Sequence, residues 1–261
     1  PFVSIELNAV IEKELRYAMR NAQLRVLGVM PLVLIAVRLM PSRWQGGRGR
    51  GVPPGLAEHA NSFAFYSEGM MAVFGVLYVF MLLSSLACNS FAFDDGGMRA
   101  LILSPVERRT ILIGKNVVIA LIAVVFALLL LLVNQLVFGD LTIRAIVFVL
   151  LCLPVFAVLM TLAGNWLSMR FPKRLKFGKR LNMTGMAGLL LLPLFALMVL
   201  LPVVAAAAGY LAQSLVVKYA TLALFAGAAV ALYRPVVASQ GRELARREQE
   251  ILETVSGQTE A

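Results

Sequence analysis

A run of 37 uncharged residues lies between Arg180 and Lys218, and this run restricts the possible folds more than any other feature of the sequence. The run is mostly apolar, and a helix that crosses a bilayer needs about 20 predominantly apolar residues. Similar stretches recur along the chain. A soluble fold of 261 residues has no interior for so much apolar surface, because 60% of the residues are hydrophobic and only 15% are charged. The sequence therefore predicts an all-α, polytopic membrane protein.

The apolar stretches predict six transmembrane helices. Pro193 and Pro202 should bend the fifth span, and a short hairpin or re-entrant piece should follow it, at about Val204 to Gln213. Lys218, near the start of the sixth span, should snorkel outward to the headgroups. The predicted spans are residues 23–40, 70–91, 117–138, 145–168, 185–203 and 215–233.

Polar segments flank this transmembrane domain of residues 23–233. Residues 1–22 place Leu7, Ile11, Leu15 and Ala18 at helical spacing, with charged residues on the other faces. This pattern predicts an amphipathic helix that lies in the membrane interface, and a soluble helix packed on a partner is the alternative. The tail, residues 234–261, is polar and should form a short cytoplasmic helix.

The positions of the basic residues predict the orientation of the chain. With six spans and both termini on the cytoplasmic side, 18 of the 24 Lys and Arg residues fall inside. This distribution satisfies the positive-inside rule, whereas five or seven spans would place the termini on opposite sides. The formal net charge of +10 is therefore mainly an orientation signal, and we expect no nucleic-acid partner. The expected location is a bacterial-type inner membrane.

No pattern in the sequence predicts a catalytic or metal site. The tripeptide Gly114-Lys115-Asn116 ends like a phosphate-binding loop, but it lacks the Ser or Thr that this motif requires after the lysine. The single histidine and the two cysteines have no neighbours at the spacing of metal ligands. We therefore expect a protein that is not an enzyme and that binds no cofactor by itself.

The segment between the second and third predicted spans carries the most specific information. Gly96-Gly97 indicates a turn, and Ser104-Pro105 indicates the start of a helix, with Ser104 as N-cap and Pro105 at the first helical position. Glu107 would then lie in the first turn, where a negative charge suits the helix dipole. The sequence predicts a short amphipathic helix over Ser104 to Leu112 that leads directly into the third span.

This segment resembles the cytoplasmic loop of permease subunits from type-two ABC exporters. The basic loop after the fourth span, with Gly164-Asn165 and Phe171-Pro172-Lys173-Arg174, also looks like that family, and the N-terminal helix resembles its elbow helix. The residues that carry the resemblance in the first loop are Asn89, Phe91, Asp94, Leu101, Ser104, Pro105, Arg108, Arg109, Ile111, Leu112, Gly114, Lys115 and Asn116.

The resemblance implies an ATP-driven export permease. In such exporters two six-span subunits, identical or related, form the pathway, and separate ATPase subunits hold ATP and magnesium. The Ser104 to Leu112 segment would be the coupling helix that contacts the ATPase, and headgroup anchoring is the alternative role for its charges. The residues expected to couple to the ATPase are Ser104, Pro105, Glu107, Arg108 and Arg109.

Polar residues within the spans are candidates for the transport pathway, although they could equally form hydrogen bonds between helices. They are Ser84, Ser85, Asn89, Asn134 and Gln135. Two other functions remain open. One is a membrane anchor or scaffold subunit with a permease-like fold, and the other is a secondary carrier. The spans have charge-free centres, which disfavours a carrier, since ion-driven carriers usually need an ionisable group at membrane depth.

Overall fold

Long helices make up most of the chain that the computed structural model describes, namely residues 4–20, 63–92, 94, 97–139, 141–172 and 185–256. Within these residues there is no β-strand. In chain order the helices are α1 (Ile5–Arg20), α2 (Met70–Ala87), α3 (Gly97–Leu103), α4 (Arg108–Phe138), α5 (Ile143–Arg170), α6 (Gly185–Leu211) and α7 (Leu215–Ser256).

Five of the described helices are long and apolar enough to cross a membrane. They are α2, α4, α5, the Gly188–Leu211 part of α6 and the Leu215–Thr254 part of α7. These helices confirm an all-helical, multi-pass membrane protein, and they coincide with the predicted second to sixth spans. The predicted first span, residues 23–40, lies outside the described residues, as does most of the loop that follows it.

The predicted hairpin or re-entrant piece at Val204 to Gln213 is wrong. Helix α6 continues through Pro193 and Pro202 to Leu211, and a tight turn then leads into α7. Gln213 adopts a left-handed conformation with φ of 50°. The N–H of Ser214 donates to the Gly209 carbonyl, and the N–H of Gln213 donates to the Tyr210 carbonyl. This pair of bonds is a Schellman motif, so local capping ends the helix without a re-entrant loop.

Helix α7 is much longer than the predicted sixth span. It runs without interruption from Leu215 to Ser256, with Pro235 inside it, so the predicted short tail helix is a continuation of the span. The apolar first part lies beside α6 and α5, whereas the polar part beyond residue 233 extends past the apolar core. We call residues 234–256 the arm of α7.

The helices alternate in direction, so their termini gather at two ends of the bundle. At one end Glu68, just before α2, accepts a hydrogen bond from Thr142, just before α5, and Lys218 of α7 donates to the Glu68 carbonyl. We call this the Glu68 end. At the other end, the α3 end, Ser90 after α2 bonds to Ser168 in the last turn of α5, and Arg108 of α4 bonds to the arm.

The main core lies between α2, α4 and α5, with parts of α6 and α7 against it. Phe80 and Phe156 meet there edge to face, with ring centroids 5.8 Å apart. Helices α2 and α5 are in close contact at Gly164, where an added Cβ would lie 2.8 Å from the carbonyl oxygen of Ala87. Only a glycine allows this separation, because any side chain would overlap the backbone of α2.

Helix α1 packs along the first turns of α4. Val10 is buried against Gly114, and the residues predicted as its apolar face are half-buried. Further along α1, Tyr17 and Ala18 line a crevice with Val118, Ile119 and Ile122 of α4. The amphipathic helix is thus confirmed as a helix, and its apolar face contacts α4. Its place in the membrane interface stays a prediction.

Candidate functional site

The loop between α2 and α4 contains a helix that ends where one was predicted to begin. Helix α3 precedes Ser104, and a bend over residues 104–106 joins it to α4. The predicted N-cap at Ser104 is wrong, because its N–H donates to Ala100 and its hydroxyl to Leu101, both in α3. Proline at the next position disfavours helical backbone at Ser104 and ends α3 there. The N-cap of α4 is Glu107.

Three of the five predicted coupling residues are exposed at the α3 end. Pro105, Glu107 and Arg109 face outward, whereas Ser104 and Arg108 are half-buried. Leu103, the last residue of α3, is 77% exposed. The described part of the chain therefore leaves the side chains of Leu103, Pro105, Glu107 and Arg109 uncovered. The sequence analysis did not single out Leu103, because the spacing of apolar residues in this segment did not indicate that Leu103 would lie at the end of a helix.

Arg108 holds three segments of the chain together. Its guanidinium donates to the Glu248 carboxylate at 2.7 Å, to the Ile102 carbonyl at 2.8 Å and to the Val106 carbonyl at 3.2 Å. It therefore joins the last turn of α3, the bend and the arm of α7. A guanidinium suits this position because it carries five donors in a planar fork.

A buried cluster of charges lies next to this loop. Lys115 of α4 is 2.6 Å from Asp94 and 2.9 Å from Glu14 of α1, and its side chain is 1% exposed. The same ammonium donates to the Ser90 carbonyl at 3.2 Å. Lys13 of α1 also contacts Asp94. The cluster fastens α1 and the start of the loop to α4, and both Asp94 and Lys115 belong to the motif found in the sequence.

The pKa of Asp94 reflects two opposed effects. Burial by itself would raise the pKa of this carboxyl group, but the ammonium groups of Lys115 and Lys13 hold it below its ordinary value. Because the folded pKa is lower than the unfolded one, the contribution of Asp94 to stability is complete above about pH 4, the unfolded pKa of an aspartate. It is lost as the pH falls through the folded value.

We therefore expect the unfolding midpoint to be insensitive to Asp94 between pH 7 and pH 5 and to fall under more acidic conditions. The measurement is thermal unfolding in detergent at a series of pH values. An Asp94→Asn variant should be less stable at pH 7, but should lose less additional stability in acid. Equal acid slopes for the variant and the natural chain would contradict this assignment.

Other motif residues connect α7 to the rest of the α3 end. Asn116 of α4 donates to the Tyr233 hydroxyl at 3.1 Å, and Asn165 of α5 donates to Gln240 at 3.1 Å. Gln240 in turn donates to the Leu162 carbonyl at 2.8 Å. Asn116, Asn165 and Gln240 are buried, and each makes a hydrogen bond across a helix interface.

The structure does not bring the predicted pathway residues together. Ser84, Ser85 and Asn89 donate back to carbonyls of their own helix, near the α3 end. Gln135 lies about 20 residues beyond Lys115 on α4, roughly 30 Å away at 1.5 Å per residue. It accepts from the Leu141 N–H at the Glu68 end, and its neighbour Asn134 lies there too. A role of these residues in transport remains a prediction.

Lys218 does not snorkel outward, which corrects the prediction from the sequence. Its side chain is fully buried, with the ammonium 4.0 Å from the centre of the Phe148 ring and 3.0 Å from the Glu68 carbonyl oxygen. An aromatic face and a carbonyl replace the headgroup contact. Sequence reasoning missed this arrangement because its partners come from α5 and from the residues before α2.

Comparison with known proteins identifies the family of the chain. A family model described as "ABC-2 family transporter protein" matches residues 59–239, which is more than half of the chain. No curated protein and no solved structure matches the chain. The matched region includes the first four described spans, α3, the bend and α7 as far as residue 239. The chain therefore belongs to the ABC-2 family of transporter proteins and is a permease-type membrane component of an ABC transporter.

Proposed function

We propose that this chain is the permease subunit of an ATP-driven exporter and couples to ATP hydrolysis on a separate ATPase subunit. ATP and magnesium would be bound by that ATPase, and a second permease subunit, identical or related, would complete the pathway. The observation that carries the proposal is the exposed surface around Leu103, which the rest of the bundle holds in place but does not cover.

The distribution of charge supports a cytoplasmic position for this surface. The described part of the α3 end carries many basic residues, whereas the described part of the Glu68 end carries two, Arg144 and Lys218. By the positive-inside rule the α3 end would be cytoplasmic. The basic residues described at the α3 end include Lys13, Arg99, Arg108, Arg109, Lys115, Arg170, Arg234, Arg242, Arg246 and Arg247.

The positions of α1 and α7 support six crossings with both termini inside. Helix α1 contacts Lys115 at the α3 end, and the arm of α7 reaches the same end. The next described residue after α1 is Phe63, whose ring lies 5.8 Å from that of Tyr210 at the Glu68 end. The described residues on either side of 21–62 thus lie at opposite ends of the bundle, as a further span would require.

A Leu103→Asp substitution is expected to weaken the complex with the ATPase roughly tenfold or more, as the loss of a central apolar contact does at protein interfaces. The measurement is the amount of ATPase that copurifies with the tagged permease from membranes. Leu211→Asp is the matched control, because Leu211 is 79% exposed at the opposite end of the bundle. If no ATPase copurifies with the unaltered chain, the proposed function is wrong.

The alternative is a membrane anchor or scaffold subunit that has kept the permease fold without transporting anything. The two functions differ in whether the ATPase hydrolyses ATP faster when a substrate is present. An export permease should stimulate ATP hydrolysis when its substrate is present in the same vesicles, whereas an anchor should leave the rate unchanged. Screening the reconstituted complex with lipids, hydrophobic drugs and peptides separates these functions.

A further inference from the structure

The arm of α7 continues a transmembrane helix for 23 residues, which corresponds to about 35 Å of straight helix. An isolated helix of that kind would be free to bend away from the bundle. Here one of its faces is buried: Val237, Leu244 and Ile251 are each 1% exposed or less. These three residues belong to a separate apolar cluster at the α3 end, whose other buried members lie outside the arm, and the arm is therefore a packed element of the bundle.

The arm packs directly on α3. The apolar cluster that contains Leu244 and Ile251 also contains Met98 of α3 and Phe91, and Ile102 packs against it. Helix α3 has only seven residues, which is too short to be stable by itself in water. Its position depends on the elements that cover its apolar face, and the arm provides several of these contacts.

The Arg108–Glu248 ion pair fixes the register of this contact. Arg108 binds the last turn of α3 and the bend through carbonyls, and Glu248 of the arm accepts its remaining strong hydrogen bond at 2.7 Å. Both side chains are about three-quarters buried, with 21% and 26% exposed. Two turns earlier in the arm, an added Cβ at Gly241 would lie 3.1 Å from the Arg109 Cα, so the helices approach closely.

On its other side the arm is anchored to α5. Gln240 exchanges hydrogen bonds with Asn165 and the Leu162 carbonyl, and Arg247 donates to the Met169 carbonyl at 2.8 Å. Arg247 thus binds a carbonyl in the last turn of α5, where a cation also suits the helix dipole. The arm is therefore held along its length, so it can hold α3 in turn.

We propose that the arm of α7 is a positioning element for the ATPase-docking surface, and that Glu248 acts as its positioning residue through Arg108. This inference rests on the proposed function, because the ATPase is the partner that would dock on α3. If the arm did not contact α3, this helix would lose its fixed orientation relative to the rest of the bundle. The ATPase would then meet a mobile Leu103 and would bind more weakly.

A spin label on α3 tests the positioning directly. Ala100→Cys places a label on an exposed position of α3, and the two native cysteines, Cys88 and Cys152, are buried and should stay unlabelled. In the purified permease, Glu248→Lys is expected to increase the mobility of this label severalfold and to weaken ATPase binding about tenfold. Glu248→Asp should keep most of the order and of the affinity.

Glu243→Lys is the matched control, since it makes the same charge change on the exposed face of the arm. It should leave label mobility and ATPase affinity unchanged. If Glu248→Lys elutes as an aggregate, Glu248→Ala replaces it. An immobile label in the folded Glu248 variant would overturn the proposal. Failure of the unaltered chain to bind an ATPase would instead overturn the proposed function, and the label would still report on the arm.

Discussion

Replacing Lys115 with methionine is expected to lower the free energy of unfolding by about 3–5 kcal/mol, the usual loss when one partner of a buried ion pair is removed. Lys115 is the most buried member of its cluster, and methionine fills a similar volume without the charge. The carboxylates of Asp94 and Glu14 would remain buried and lose most of their compensation. Since both belong to segments that pack on α4, we expect α1 and the loop to detach first.

The measurement is an SDS titration in mixed micelles, with unfolding monitored by circular dichroism. Lys13→Met is the matched control, because Lys13 contacts the same Asp94 but is 38% exposed. This substitution should lower the free energy of unfolding by no more than about 1 kcal/mol. In a double-mutant cycle, Asp94→Asn should lower the free energy of unfolding by less in the Lys115→Met variant than in the unaltered chain. Additive losses would show that the two groups do not interact.

A Gly164→Val substitution is expected to destabilise the bundle by about 3 kcal/mol, at the upper end of the usual cost of overpacking. The first atom of any side chain would lie 2.8 Å from the carbonyl oxygen and 2.9 Å from the carbonyl carbon of Ala87. These are backbone atoms of the last residue of α2, and they cannot move as the end of a flexible side chain can. Helices α2 and α5 would have to separate, which opens the main core.

Gly227→Val provides the control, since an added Cβ at Gly227 of α7 meets nothing within 4 Å. Both positions lie inside transmembrane helices, so the difference between the two variants isolates the contact with α2. The same SDS titration gives both values. A loss of equal size at Gly227 would mean that helix propensity, and not the α2–α5 contact, explains the effect.

Residues that carried the family resemblance have partners within the chain that the sequence did not indicate. Arg108, whose predicted contact with an ATPase stays a prediction, binds Glu248 and two carbonyls. Asp94 and Lys115 were recognised as a pattern without a role, and the structure joins them to α1. Sequence spacing could not reveal these pairs, because Glu248 is 140 residues from Arg108 and Glu14 is 101 residues from Lys115.

The sequence by itself determined that the chain is a helical, multi-pass membrane protein, and it located the spans that the structure describes. It could do so because entry into a bilayer depends on the local length of apolar sequence, whichever helices become neighbours. Only the tertiary structure decided that Lys218 is buried and that the arm of α7 packs on α3. Those features depend on which side chains meet across helix interfaces, and that is set by packing between segments far apart in the chain.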